Sequence, residues 1–137
     1  MKQCLFCGIG NGEIKPDAVV YEDDHVIAIF DRMPVAEYHT LVIPKRHSKN
    51  IFDVQEADLV AMTLAIRRIC QMYREKLGIE DVQIICSNGA VAQQDTFHFH
   101  VHIVPRKVGD GLDIGWTPDI SICARFDDLL LPLVTDL

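Results

Sequence analysis

Residues Phe97 to Arg106 read FHFHVHIVPR, and the first seven alternate without exception. In an extended strand, side chains at i, i+2 and i+4 share one face. His98, His100 and His102 therefore form a row, with the row facing outward. Phe97, Phe99, Val101 and Ile103 go to the opposite face and into a core. Half of the chain's six histidines stand in this one strand, which is predicted to end near Pro105.

The rest of the fold is read outward from that strand. Upstream, VQIICSN (Val82 to Asn88) is a strand that runs into the loop GAVAQQD, and HTLVIPK (His39 to Lys45) is β-branched-rich and stopped by Pro44. DAVVYEDDHVIAIFD holds two apolar runs around the break Glu22-Asp23-Asp24 and reads as strand, turn and a second strand, Val26 to Asp31. Leu59, Met62, Ile66, Ile69 and Tyr73 recur at helical spacing, which predicts a helix from Asp53 to Leu77. Asp53 with Glu56 looks like a capping box, and Arg74, Lys76 and Gly78 suit the C-terminal end. The tail ISICARFDDLLLPLVTDL is apolar enough to pack and partly helical before Pro132. About five strands around one long helix, with a C-terminal helix or tail, predict an α+β fold with a mainly antiparallel sheet. Residues 1–137 fit a single domain.

Composition narrows the function. Apolar residues make up 49% of the chain, and no apolar run approaches the roughly 20 residues that span a bilayer. The N-terminal MKQCLFCGIGNGE lacks a signal-peptide core, so a cytoplasmic protein is expected, with no membrane partner. The net charge of −7 argues against wrapping nucleic acid, because phosphate backbones need a basic surface. In a reducing compartment five cysteines do not predict disulfides, and Cys4 and Cys7 of CLFC read as a metal or redox pair, or as two small packed residues near a frayed end. Cys70, Cys86 and Cys123 read as buried fillers, and His25 as an exposed turn residue. Arg106 and Lys107 suit either a phosphate or a solvated strand end.

The histidine row has three readings. It is a polar sheet face, although Thr suits a strand better. It is a zinc site that activates water, although three positions spanning roughly 13 Å of strand cannot all reach one ion. Or it is a nucleophilic site, in which a neutral imidazole attacks phosphorus while its neighbours orient it and protonate the leaving group.

HFHVHIVPR resembles the signature of the histidine triad family of nucleotide hydrolases and transferases. CLFCGIGNGE resembles that family's N-terminal segment, VVYEDDHVIAIFDRMPVAEYHTLVIPKRH its central block, and NGAVAQQDTFHFHVHIVPRKVGDG its active-site block. The resemblance implies that His100 is the nucleophile that carries a nucleotidyl group, that His102 contacts the phosphate and assists the leaving group, and that His39 is an additional active-site histidine. It implies Asp31 at the ribose and Asn88 and Gln94 near the phosphates of a purine nucleotide, adenosine or guanosine. By position alone, Asp31 simply ends a strand and Asn88 makes a turn. Some relatives are similar to zinc proteins, which implies a structural zinc held by Cys4, Cys7, His47 and His98 and pinning the N-terminus to the sheet. No metal is then needed for catalysis, and a homodimer is implied.

The chain departs from the resemblance where Gly-Gln-Ser/Thr is usual and Gln93-Gln94-Asp95 stands instead. The missing glycine removes backbone freedom. The carboxylate of Asp95 repels a polyphosphate leaving group and suits an amine, which predicts a preference for nucleoside phosphoramidates over dinucleoside polyphosphates. PRKVGDG resembles the polyphosphate-cleaving branch, so the branch stays open. The rivals are a zinc-dependent hydrolase using the histidines as ligands and a nucleotide-binding regulatory protein with little turnover.

Overall fold

The computed structural model describes residues 4–134. A short helix, α1 (Leu5–Gly10), precedes strands β1 (Val19–Glu22), β2 (Val26–Phe30) and β3 (Thr40–Pro44). The long helix α2 (Glu56–Leu77) leads to β4 (Val82–Ile85), then to β5 (Val101–Pro105), and the tail closes with α3 (Phe126–Val134). The sheet order is β1-β2-β3-β5-β4, and every neighbouring pair is antiparallel. The α+β fold with a five-stranded antiparallel sheet is therefore as expected.

Strand alternation sorts the side chains into two layers. Val26, Ala28, Val42, Phe99, Val101 and Ile103 pack against Met62, Ala65, Ile69 and Tyr73 of α2. Ile27, Ile29, Leu41 and Ile43 face the other way and pack against Phe6 and Ile9 of α1. The register Ile29↔Leu41 and Leu41↔His102 places His102 on that second face. His98 and His100 thus lie under Phe6 of α1 rather than facing open solvent, while His102 keeps 27% of its side chain exposed. His98 is fully buried and His100 nearly so.

Several local expectations are corrected. Regular β pairing of the histidine segment begins only at Val101; upstream, the Phe99 amide donates to the Ser48 carbonyl. Phe97 is exposed, not core, with Lys49 Nζ 5.3 Å from its ring centre. The long helix starts at Glu56 behind Gln55, not at Asp53. The Asp53 carboxylate instead accepts the amides of Lys49 and Asn50, each at 2.9 Å, and so closes the preceding loop. The C-terminal end is as expected: Gly78 takes a left-handed φ of 68°, and its amide reaches the Arg74 carbonyl. Through Val134 the tail stays exposed rather than packing on the sheet, and residues 135–137 lie outside the described residues. Ile120–Arg125 forms a 3-10 turn, and Trp116, Leu131 and Leu133 are exposed. Pro132 sits inside α3, where it lacks the amide that would donate to the Asp128 carbonyl one turn back. Cys86 and Cys123 are exposed rather than buried, and Cys70 is half-buried.

Candidate active site

The chemistry of the histidine row follows from which ring nitrogens already have partners. His100 Nδ1 lies 2.7 Å from the His98 carbonyl. A carbonyl only accepts, so Nδ1 carries the proton and Nε2 keeps its lone pair. The ring stands between Phe6 at 5.3 Å and His102 at 5.2 Å, each steeply inclined to it.

His102 belongs to a proton chain. The Val35 amide donates to His39 Nδ1 at 3.1 Å, so His39 carries its own proton on Nε2. That nitrogen lies 2.9 Å from His102 Nδ1, which must accept. His102 is left with its proton on Nε2. Burial lowers the pKa of both rings: for His39 the Asp31 carboxylate opposes it, and for His102 the two neighbouring histidines add to it while Asp31 and Asp95 oppose. Both are therefore neutral near pH 7.

Asp31 divides its oxygens. One accepts the Met33 amide at 2.8 Å, the turn role, and the other lies 3.4 Å from His39 Nε2 and 3.8 Å from His102 Nδ1. Asp31, His39 and His102 converge closely enough to suggest a metal. The donor chemistry fits poorly: ligation through His39 Nε2 requires a proton on Nδ1, where the Val35 amide already points.

Cys4, Cys7, His47 and His98 do fit a metal. The donor separations run 3.2 Å between the two Nδ1 atoms and 3.3 to 3.4 Å between sulfur and nitrogen. A tetrahedron with Zn–S of about 2.3 Å and Zn–N of about 2.0–2.1 Å has edges of roughly 3.3–3.8 Å. His98 Nε2 donates to the Pro44 carbonyl at 2.7 Å, which leaves Nδ1 free to ligate. Burial first, and then the neighbouring Cys4, push the Cys7 thiol up to about 11. A dication among the four donors reverses that by holding both sulfurs as thiolates.

Asn88 and Gln94 are engaged with the loops. Asn88 Oδ1 accepts the Ile51 amide at 2.8 Å. Gln94 is buried; its Oε1 accepts the Gly89 amide, and its Nε2 donates to the carbonyls of Lys49 and Thr96. Asp95 is exposed beside this anchor, near enough for its charge to act on His102. Gln93 holds φ at 73°, the left-handed conformation that a glycine adopts freely. The Arg106 guanidinium is committed to Asp110, Asp113 and Gln83, so it does not serve as a free phosphate donor. His25 is exposed in its turn, as expected.

Two partners escaped the sequence reading. The Val35 amide orders the proton chain but is backbone and carries no side-chain signal. Phe6 touches His98 and His100; its place inside CLFC was the available hint.

Comparison with known proteins gives the family and the fold. The HIT domain family matches residues 12–109. An uncharacterized HIT-like protein of Methanocaldococcus jannaschii is 42% identical over 79% of this chain and 82% of its own. The adenylylsulfatase HINT3 of Arabidopsis thaliana is 36% identical over 80% of this chain and 55% of its own. The crystal structure of a HIT family member from Bacillus subtilis superposes with a TM-score of 0.84 at 31% identity, covering 99% of this chain and 100% of the other. A zinc-bound histidine triad family protein from Mycobacterium smegmatis gives a TM-score of 0.74 at 33% identity, covering 93% and 97%. The chain belongs to the HIT domain family.

Proposed function

We propose that the protein hydrolyses a purine nucleotide, of adenosine or guanosine, at its α-phosphorus through a nucleotidyl-His100 intermediate. One observation carries this reading: the 2.7 Å bond from His100 Nδ1 to the His98 carbonyl, which leaves Nε2 as a buried lone pair. That nitrogen attacks phosphorus, and the bond to the leaving group breaks. The proton on His102 Nε2 goes to the leaving group as it departs. Water then attacks the same phosphorus, gives a proton back to His102, and breaks the P–N bond to restore His100. His39 holds His102 in the donating tautomer, and Asp31, through the oxygen that lies 3.4 Å from His39 Nε2, accepts from the ribose hydroxyls. The adenylylsulfatase relative supports chemistry at a nucleotide phosphate.

Asn88, Gln94 and Asp95 shape the phosphate end of the site. Asp95 favours a phosphoramidate over a dinucleoside polyphosphate, because an amine leaving group is not repelled by its carboxylate. Zinc held by Cys4, Cys7, His47 and His98 is structural: it cross-links the N-terminal segment to the sheet and takes no part in the reaction. The exposed apolar tail supports a homodimer. Among the described residues no helix is long and apolar enough to cross a membrane, and we place the protein in the cytoplasm.

The test is turnover of an adenosine phosphoramidate by the wild-type protein, with and without brief chelation, and by His100→Ala. Turnover that chelation slows but does not abolish, and that is lost in the variant, with an adenylyl adduct on His100 in mass spectra of the wild type, is the expected result. Nucleotide binding without turnover or adduct overturns the reading in favour of a binding protein.

A further inference from the structure

We propose that Phe6 is a positioning residue for the His100 imidazole, so that occupancy of the zinc cluster controls a reaction in which the metal itself does nothing. This rests on the reading of His100 as the nucleophile.

The bond from His100 Nδ1 to the His98 carbonyl fixes one nitrogen but leaves the ring free to tilt about that bond. Two rings close off the tilt. His102 stands 5.2 Å away and is held by His39. Phe6 stands 5.3 Å away with its plane 76° from that of His100. The same phenyl ring lies 5.8 Å from His98, inclined at 82°. One side chain therefore touches both a cluster ligand and the nucleophile. Such inclined ring pairs have a preferred geometry, not merely a hydrophobic attraction.

Phe6 in turn depends on what holds α1. The helix has six residues, and its N-cap residue Cys4 makes no side-chain cap bond. A helix so short does not persist by its own hydrogen bonds. Cys4 and Cys7 flank Phe6, and both converge on His98. At the other end, a methyl group on Gly10 would lie 3.1 Å from Lys45 Cα, so α1 is seated close against the end of β3. Without the cross-link, the apolar contacts of Phe6 and Ile9, with Ile14 and the seating of Gly10, remain to orient the ring.

The experiment uses the full-length zinc-loaded protein. Phe6→Leu keeps apolar bulk and loses the ring; Phe6→Tyr keeps the ring. Zinc content, kcat and KM on an adenosine phosphoramidate, and the ring ¹H–¹⁵N NMR signals of His100 are measured for each. In Phe6→Leu we expect full zinc, KM within about twofold, kcat down by about tenfold or more, and a broadened His100 Nδ1–H signal. Phe6→Tyr restores both readouts. Chelated wild type shows the same broadening and rate loss with an unchanged far-UV spectrum. A zinc-loaded Phe6→Leu with full kcat and a sharp His100 signal overturns the proposal, as does a chelated wild type that keeps both. If Phe6→Leu fails to fold, the chelated wild type decides. Absence of turnover and adduct in wild type sinks the hydrolase reading instead, and the NMR signals then judge Phe6 alone.

Discussion

His39 Nε2 lies 2.9 Å from His102 Nδ1, and the Val35 amide on the far side of His39 orders the proton between them. One backbone amide thus dictates the tautomer of a ring two steps away. The arrangement holds His102 ready to donate from Nε2 while His100 keeps its lone pair.

Removing the middle of this chain is the direct probe. His39→Ala is expected to lower kcat by about 10²-fold, within the usual range for losing oriented general acid catalysis. Steady-state kinetics on a phosphoramidate measures it. A variant with the wild-type rate removes His39 from the mechanism.

The buried imidazoles also predict a pH dependence. His39 and His102 have pKa values below 6.5, chiefly because of burial. The unfolded chain keeps the ordinary value and binds more protons between the two. Stability therefore rises with pH in that window, is complete above 6.5, and is lost as pH falls through the depressed values. Urea midpoints are expected to decline on the acid side of pH 6.5. Midpoints that stay level well below 6.5 contradict the neutral proton chain.

Asp95 is exposed, so its influence is electrostatic and screened. Asp95→Ser is expected to raise kcat/KM for a dinucleoside polyphosphate relative to a phosphoramidate by about three- to tenfold at low salt. The gain shrinks as salt is added. An unchanged ratio assigns the selectivity elsewhere.

Gln93 occupies a left-handed backbone at φ 73°. A side chain there costs about 1 kcal/mol relative to glycine. Gln93→Gly is expected to raise stability by a similar amount, less the extra entropy of the unfolded glycine. A lower urea midpoint shows that the Gln93 side chain supports the loop.

Tyr73 joins α2 to the sheet by a buried hydrogen bond. Thr40 Oγ1 donates to the Tyr38 carbonyl at 2.7 Å, so at 2.6 Å it accepts from the Tyr73 hydroxyl. Tyr73→Phe is expected to cost about 1 kcal/mol by chemical denaturation, with the fold intact. No loss of stability indicates that a water replaces the hydroxyl.

The strands and α2 were legible because their signals are local. Period-two alternation sent Phe99, Val101 and Ile103 to the core, and the stripe of Met62, Ile69 and Tyr73 met them there. The motif resemblance likewise pointed to the histidines and to Cys4 and Cys7. Polar partners were a different matter. Asp53 carries the pattern of a helix cap, yet its carboxylate is taken by two loop amides. The resemblance matches Gln94 to the phosphates, but nothing along the chain announces that its amide also ties Gly89 and Thr96 to Lys49 of another loop. Cys4 and His98 are 94 residues apart, and no local rule says which face of the sheet brings them together. Periodicity is a property of neighbouring residues and is written along the chain. A hydrogen bond or a ligand sphere needs donor and acceptor at one point in space, and folding of distant segments alone supplies that point. The chain itself determined an antiparallel sheet with one long helix and a row of imidazoles. Tertiary structure decided which nitrogen of each ring holds a proton, and that α1, not water, covers His98 and His100.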